Sequence, residues 1–170
     1  MPTLPDSPEF KIKEGLRAYL SYALRAENAT ASYSKIRGIV QGPAQKNIIA
    51  VLVPERVPGD DGPNTRSWEC TVIIAIETVA AHTSEHKAET RSDAHDAAAW
   101  AVEQVMDPAL VKAYLNSENI AEDEGLRPIP GFAISDFSSP SVTSGFDFNR
   151  HCFYTALKFT KVPIYLSDCD

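Results

Sequence analysis

Four histidines and three cysteines are the side chains of this 170-residue chain best suited to metal or nucleophile chemistry. His82, His86 and His95, with Asp93 and Asp96 nearby, could be drawn as a zinc cluster. An HxxxH pair grips zinc when a helix holds both imidazoles rigidly on one face. The stretch HTSEHKAETR (residues 82–91) has no apolar helical period to do that, so these groups read as solvated loop and helix-start residues, with Ser92 or Asp93 as a cap. Cys152 stands beside His151, which suggests an activated thiol. Adjacent strand residues point to opposite faces, so the pair could not hydrogen-bond within a strand, and Cys152 reads as a core residue. Cys70 reads the same way, and Cys169 as a free thiol near the end of the sequence. No CxxC pair occurs, so neither a zinc site nor a disulfide framework is indicated, and a reducing compartment fits. No GxxxxGK[ST] or GxGxxG loop is present to cradle a nucleotide. Catalytic, cofactor-binding and metal sites are therefore all expected to be absent.

The positioning elements are more legible than any chemistry. A 44% hydrophobic and 23% charged composition belongs to a globular protein, long enough here to bury a core as one domain. A net charge of −7 argues against clamping nucleic acid, although DNA could pass such a surface without adhering. Lys11, Lys13 and Arg17 are matched by Glu9 and Glu14 and read as a solvated face. MPTLPDSPEF has no basic segment leading into an apolar one, so no secretion signal is expected, and no apolar run approaches the ~18 residues of a membrane span.

Residues 6–28 predict a helix, with Ser7 as N-cap, Pro8 in the first turn and Ile12, Leu16, Tyr19, Leu20, Ala23 and Leu24 on one face. Ile48–Val53 predicts a strand stopped by Pro54. The Pro-, Gly- and Asp-rich stretch Pro54–Arg66 then predicts a long, mobile hairpin loop. Next comes SWECTVIIAIETVAAH. Trp68, Cys70, Val72, Ile74, Ile76, Thr78 and Ala80 form a buried alternate set. Glu69, Thr71, Ile73, Ala75, Glu77, Val79 and Ala81 form a second set, too apolar for open water and too charged for a dry core. A strand over Ser67–Ala81 would span roughly 50 Å, against roughly 40 Å for a compact domain of this size. Its far end and mixed face are therefore expected to meet a neighbouring copy.

After the polar loop, a helix faces the sheet with Ala94, Ala97, Ala98, Ala101, Val102, Val105 and Met106. Asp107 and Pro108 restart a helix whose buried side is Leu110, Val111, Tyr114 and Leu115. Residues 117–131 form an acidic linker, solvated or lining the lumen of a ring through Glu118, Glu122, Asp123 and Glu124. Two further strands follow, over residues 131–142 and 149–166, with a polar tail at 167–170. Trp68 and Trp100 are expected to anchor the core. The order α, β, β, α, α, β, β predicts an α+β fold: a mainly antiparallel sheet of about four strands with helices packed on one face.

The strand WECTVIIAIETVA, the polar loop, DAHDAAAWAVEQVM opening on His95, Asp96, Ala97 and Ala98, the helix DPALVKAYLN and the strands GFAISDFSS and HCFYTALKFTKVPIYL occur in that order over Trp68–Leu166. This succession resembles the tail terminator (tail completion) proteins of long-tailed bacteriophages. The resemblance implies a structural virion protein assembled in the host cytoplasm. It would form a homo-oligomeric, hexameric ring at the head-proximal end of the tail tube, ending tube polymerisation and joining the tail to the head connector. Its partners would be the tail tube protein and a connector or neck protein, with DNA passing through the lumen unbound and no membrane involved. The implied subunit contacts fall on Glu69, Thr71, Ile73, Glu77 and Val79 of the long strand and on Pro58, Asp60, Asp61, Asn64 and Arg66 of the hairpin. Another neck or head–tail adaptor protein is the second reading, and a small cytosolic enzyme the third.

Overall fold

The first helix, α1 (Pro8–Ala26), begins where Ser7 can cap it: the Ser7 hydroxyl accepts a hydrogen bond from Phe10 N at 3.2 Å. All six residues of its predicted stripe, from Ile12 to Leu24, are buried. The computed structural model describes residues 7–26, 36–37, 47–62, 65–80, 85–116, 132–135 and 138–167. Within them follow β1 (Ile36–Arg37), β2 (Ile48–Pro58), β3 (Thr65–Val79), α2 (Glu85–Val105), α3 (Pro108–Leu115), β4 (Phe132–Ile134), β5 (Ser141–Asp147) and β6 (Cys152–Ser167).

The fold is α+β, as its alternating patterns imply. β3 lies antiparallel between β2 and β6, while β5 and β4 pair with successive stretches along the far side of β6 and together fill a fourth position. β1 adds two parallel residues beside β2. The even-numbered face of β3, from Cys70 to Ile76, joins Ile49, Val51, Leu157 and Phe159 in a core closed by α1, α2 and α3. Burying aliphatic side chains at roughly 2 kcal/mol each is what holds helices to that face.

β3 keeps its full fifteen residues. Its neighbours do not run straight beside it. One extra residue enters β2 between Leu52 and Glu55, and another enters β6 between Phe159 and Val162, both opposite the Thr71–Val72 step of β3. Lys161, in the second irregularity, has φ 53°, a left-handed conformation unusual for a residue with a side chain. Facing bulges increase the local twist of a sheet at one level. Pro54 does not stop β2 as expected: it occupies the bulge, where its missing N–H costs no ladder bond, and the strand continues to Pro58. The predicted loop over Pro54–Arg66 thus contracts to the turn between Pro58 and Thr65.

Four helical expectations are corrected. α2 begins at Glu85, so Ser92 and Asp93 lie inside it and cap nothing; Glu, Lys, Ala and Arg in residues 85–91 are good helix formers even without an apolar period. Its buried stripe is His95, Ala98, Ala99, Val102, Val105 and Met106, leaving Ala94 and Ala97 exposed. On that phase Trp100 points outward and is 61% exposed, so it does not anchor the core as Trp68 helps to do. In α3 the predicted cap holds, with Asp107 Oδ1 accepting from Ala109 N and Leu110 N, but Leu110 is exposed.

Candidate assembly surface

A sheet edge is a row of unpaired donors and acceptors that another chain can complete unless it is blunted. β2 is blunted twice. β1 covers Ile49 and Ala50, and the hydrogen bond from Gly59 N to Ser67 O (2.9 Å) fixes the alternation so that Pro58 turns outward a nitrogen that cannot donate. β4 is blunted by a side chain: Asn116 Nδ2 donates to Ile134 O at 3.0 Å, and its Oδ1 accepts from Ile134 N at 3.1 Å. β5 has β6 on one side and, among the described residues, no strand on the other.

Two side-chain hydrogen bonds join the described residues of the hairpin end. Asp61 Oδ1 accepts from Ser67 N at 2.9 Å, and the Ser67 hydroxyl donates to Asp60 O at 2.5 Å. Gly59 is required there, because a Cβ would lie 2.6 Å from that hydroxyl. Pro58, Asp60, Asp61 and Arg66 are all exposed at this end, with Asn64 outside the described residues.

The face of the sheet turned away from the helices carries the other predicted contact residues. Thr71, Ile73, Glu77 and Val79 are half-buried and Glu69 is exposed. Leu52, Ala75, Ala156 and Tyr154 share that face by register. Glu77 is not a free charge on it: Arg150 grips its carboxylate with both arms, Nη2–Oε2 at 2.6 Å and Nε–Oε1 at 3.0 Å. The side chains are only 15% and 16% exposed, and the Glu77 hydrogen bond is the main reason the Arg150 pKa is raised. Neutralising this carboxylate leaves an outer face more apolar than its residue types alone suggest.

His95 corrects the sequence reading most sharply. It is buried, not solvated, and both ring nitrogens are engaged: Nδ1 with Thr78 Oγ1 at 2.7 Å and Nε2 with Thr155 Oγ1 at 2.9 Å. Thr155 Oγ1 in turn meets Ser144 Oγ at 2.9 Å. A polar line therefore runs from β3 through α2 and β6 to the edge strand. The signal lay in Thr78, a hydroxyl on the buried face of β3 that needed a partner. Burial lowers the His95 pKa below its ordinary 6.5, against smaller upward pulls from Asp96 and the Tyr154 backbone. The folded chain thus resists a proton that the unfolded chain accepts. Stability is complete above about pH 6.5 and falls as pH drops through the lowered folded value. Thermal melts at pH 7.5 and pH 5 should show this loss at pH 5, and His95→Gln should diminish it.

Neither described cysteine is poised as a nucleophile. Burial pushes the Cys152 thiol to about 11, aided by Glu77, and the Cys70 thiol likewise to about 11, aided by Glu9. Glu9 itself pairs with Arg56 at 3.0 Å, and Arg56 lies over the Trp68 ring. Among the described residues no group of three His, Cys, Asp or Glu side chains could hold a metal ion. The side chain of His86, with His82, Cys169 and the acidic candidates Glu118, Glu122, Asp123 and Glu124, lies outside the described residues. No described helix is long and apolar enough to cross a membrane. No family model and no curated protein matches the chain.

Proposed function

We propose that this chain is a ring-forming structural subunit of the tail-terminator kind. It would cap the tail tube of a long-tailed bacteriophage at the head-proximal end, stop its polymerisation and join it to the head connector. The supporting observation is the sheet face opposite the helices. Leu52, Ile73, Ala75 and Val79 lie there half-exposed around a carboxylate already neutralised by Arg150. A one-sided sheet ordinarily turns polar residues to water. An apolar outer face suits a neighbouring subunit, and a head-to-tail contact of suitable rotation closes a ring. The exposed hairpin end at Pro58–Asp61 offers a second contact with the neighbour or with the tail tube protein. The chain's net charge of −7 suits a lumen through which DNA slides without binding.

Light scattering coupled to size exclusion tests this reading. A hexamer, or a multiple of it, is expected, and the rings should arrest polymerisation of the cognate tube protein. A monomer at every concentration, without effect on the tube, would overturn it.

A further inference from the structure

We propose that β5 is a docking strand for a second copy of this chain, joined edge to edge and antiparallel about a two-fold axis at Ser144. The inference stands apart from the ring reading, because a two-fold contact pairs two subunits, or two rings, and does not propagate head to tail. Its basis is that, among the described residues, β5 is the edge left open. β2 carries β1 and two prolines, and β4 carries the Asn116 amide, but Ser141–Asp147 contains no proline, lysine or arginine. Ser141 to Gly145 are exposed on both faces of the strand, outside the helical cover. Such an edge is a template for strand addition.

A second copy fits it in one register. A two-fold normal to the sheet keeps side chains on their own faces, and centring it on Ser144 overlaps all seven residues. Val142, 45% exposed, then lies beside the partner's Phe146, a β-branched–aromatic pair favoured across strands. Phe148, 79% exposed at the adjacent turn, packs edge-on against Phe146 at 5.0 Å and extends the aromatic surface that would meet the incoming strand. On the opposite face Asp147 comes beside the partner's Ser141, a small residue flanked on β6 by the partner's Lys158. Lys158 of each subunit thereby lies two strands from the other's Asp147, whose Oδ1 already accepts from Asn149 N and Arg150 N, so the two act on each other only through their charge. At the axis, Ser144 meets the partner's Ser144, so the line Thr78–His95–Thr155–Ser144 continues into the same line of the second subunit. Gly145 contributes on the outer face: a Cβ there would lie 3.1 Å from the Tyr154 hydroxyl, so any larger residue would oblige the ring that crosses β5 to shift by a few tenths of an ångström.

Cysteine cross-linking reads this register directly. In a Cys169→Ser background, with Cys70 and Cys152 buried, Ser144→Cys places two thiols on the axis within disulfide reach. Val142→Cys places its own two thiols four residues apart along the strands. Under mild oxidation by oxidised glutathione, Ser144→Cys should form a covalent dimer at least tenfold faster than Val142→Cys. Mixing Val142→Cys with Phe146→Cys chains should give a mixed dimer. Failure of Ser144→Cys to cross-link, or equal rates for Ser144→Cys and Val142→Cys, would overturn the proposal whether or not rings form.

Discussion

Replacing Ile74 with aspartate should unfold this chain, whereas the same replacement at Ile73 should leave it folded and prevent its self-association. The two side chains are neighbours in sequence and lie on opposite faces of β3. Ile74 is wholly buried, packed on the same face as Val51 and Leu157 beneath the helices. A carboxylate there loses its hydration with no cation to receive it, at a cost of about 5 kcal/mol or more, comparable with the whole stability of a small domain. Ile73 is half-buried between Leu52 and Lys158 on the outer face, where the new carboxylate can reach water. Its cost to the isolated fold should be within about 1 kcal/mol. Buried against a neighbouring copy, however, it carries a carboxylate, with Lys158 beside it, into an apolar contact where both charges lose their hydration. Circular dichroism melts separate the folding effects, and light scattering reads the association.

Thr155→Val should destabilise the fold by about 1–3 kcal/mol although it changes the side chain's size very little. The Thr155 hydroxyl is the partner of His95 Nε2, and its loss leaves a buried ring nitrogen without a bond. Ser144→Ala, at the exposed end of the same line, should change stability by no more than about 0.5 kcal/mol. Urea unfolding midpoints of the two variants test the contrast. Equal midpoints would mean that the line contributes nothing as a network.

The sequence is most legible where a single periodicity governs a whole element. The α1 stripe and the alternation of β3 follow from helical and strand geometry alone, because the buried residues recur at the period of each element, Ile12 to Leu24 every three or four positions and Cys70 to Thr78 every two. The failures occur where a local signal competes with tertiary packing. Pro54 reads as a stop, but a bulge accommodates it once β3 and β6 supply the rest of the sheet. Residues 85–91 read as a loop because no apolar residue marks a face, yet their intrinsic preference is helical. Trp100 reads as core by residue type, and the phase imposed by His95, Ala98, Val102 and Val105 turns it outward. The surface residues of β3 were readable from their mixed polarity, but the Arg150 clamp on Glu77 was not, since it joins positions far apart in the chain. The open edge at β5 is likewise a property of topology, visible only once β4 and β5 share the far side of β6.

That the outer face of this sheet belongs against a neighbouring subunit is tested most directly by imaging the purified chain in negative stain alongside Ile73→Asp. Annular particles with an open centre are expected for the unaltered protein, and their disappearance for a variant that still melts cooperatively. Small compact particles from both proteins, at every concentration imaged, would contradict it.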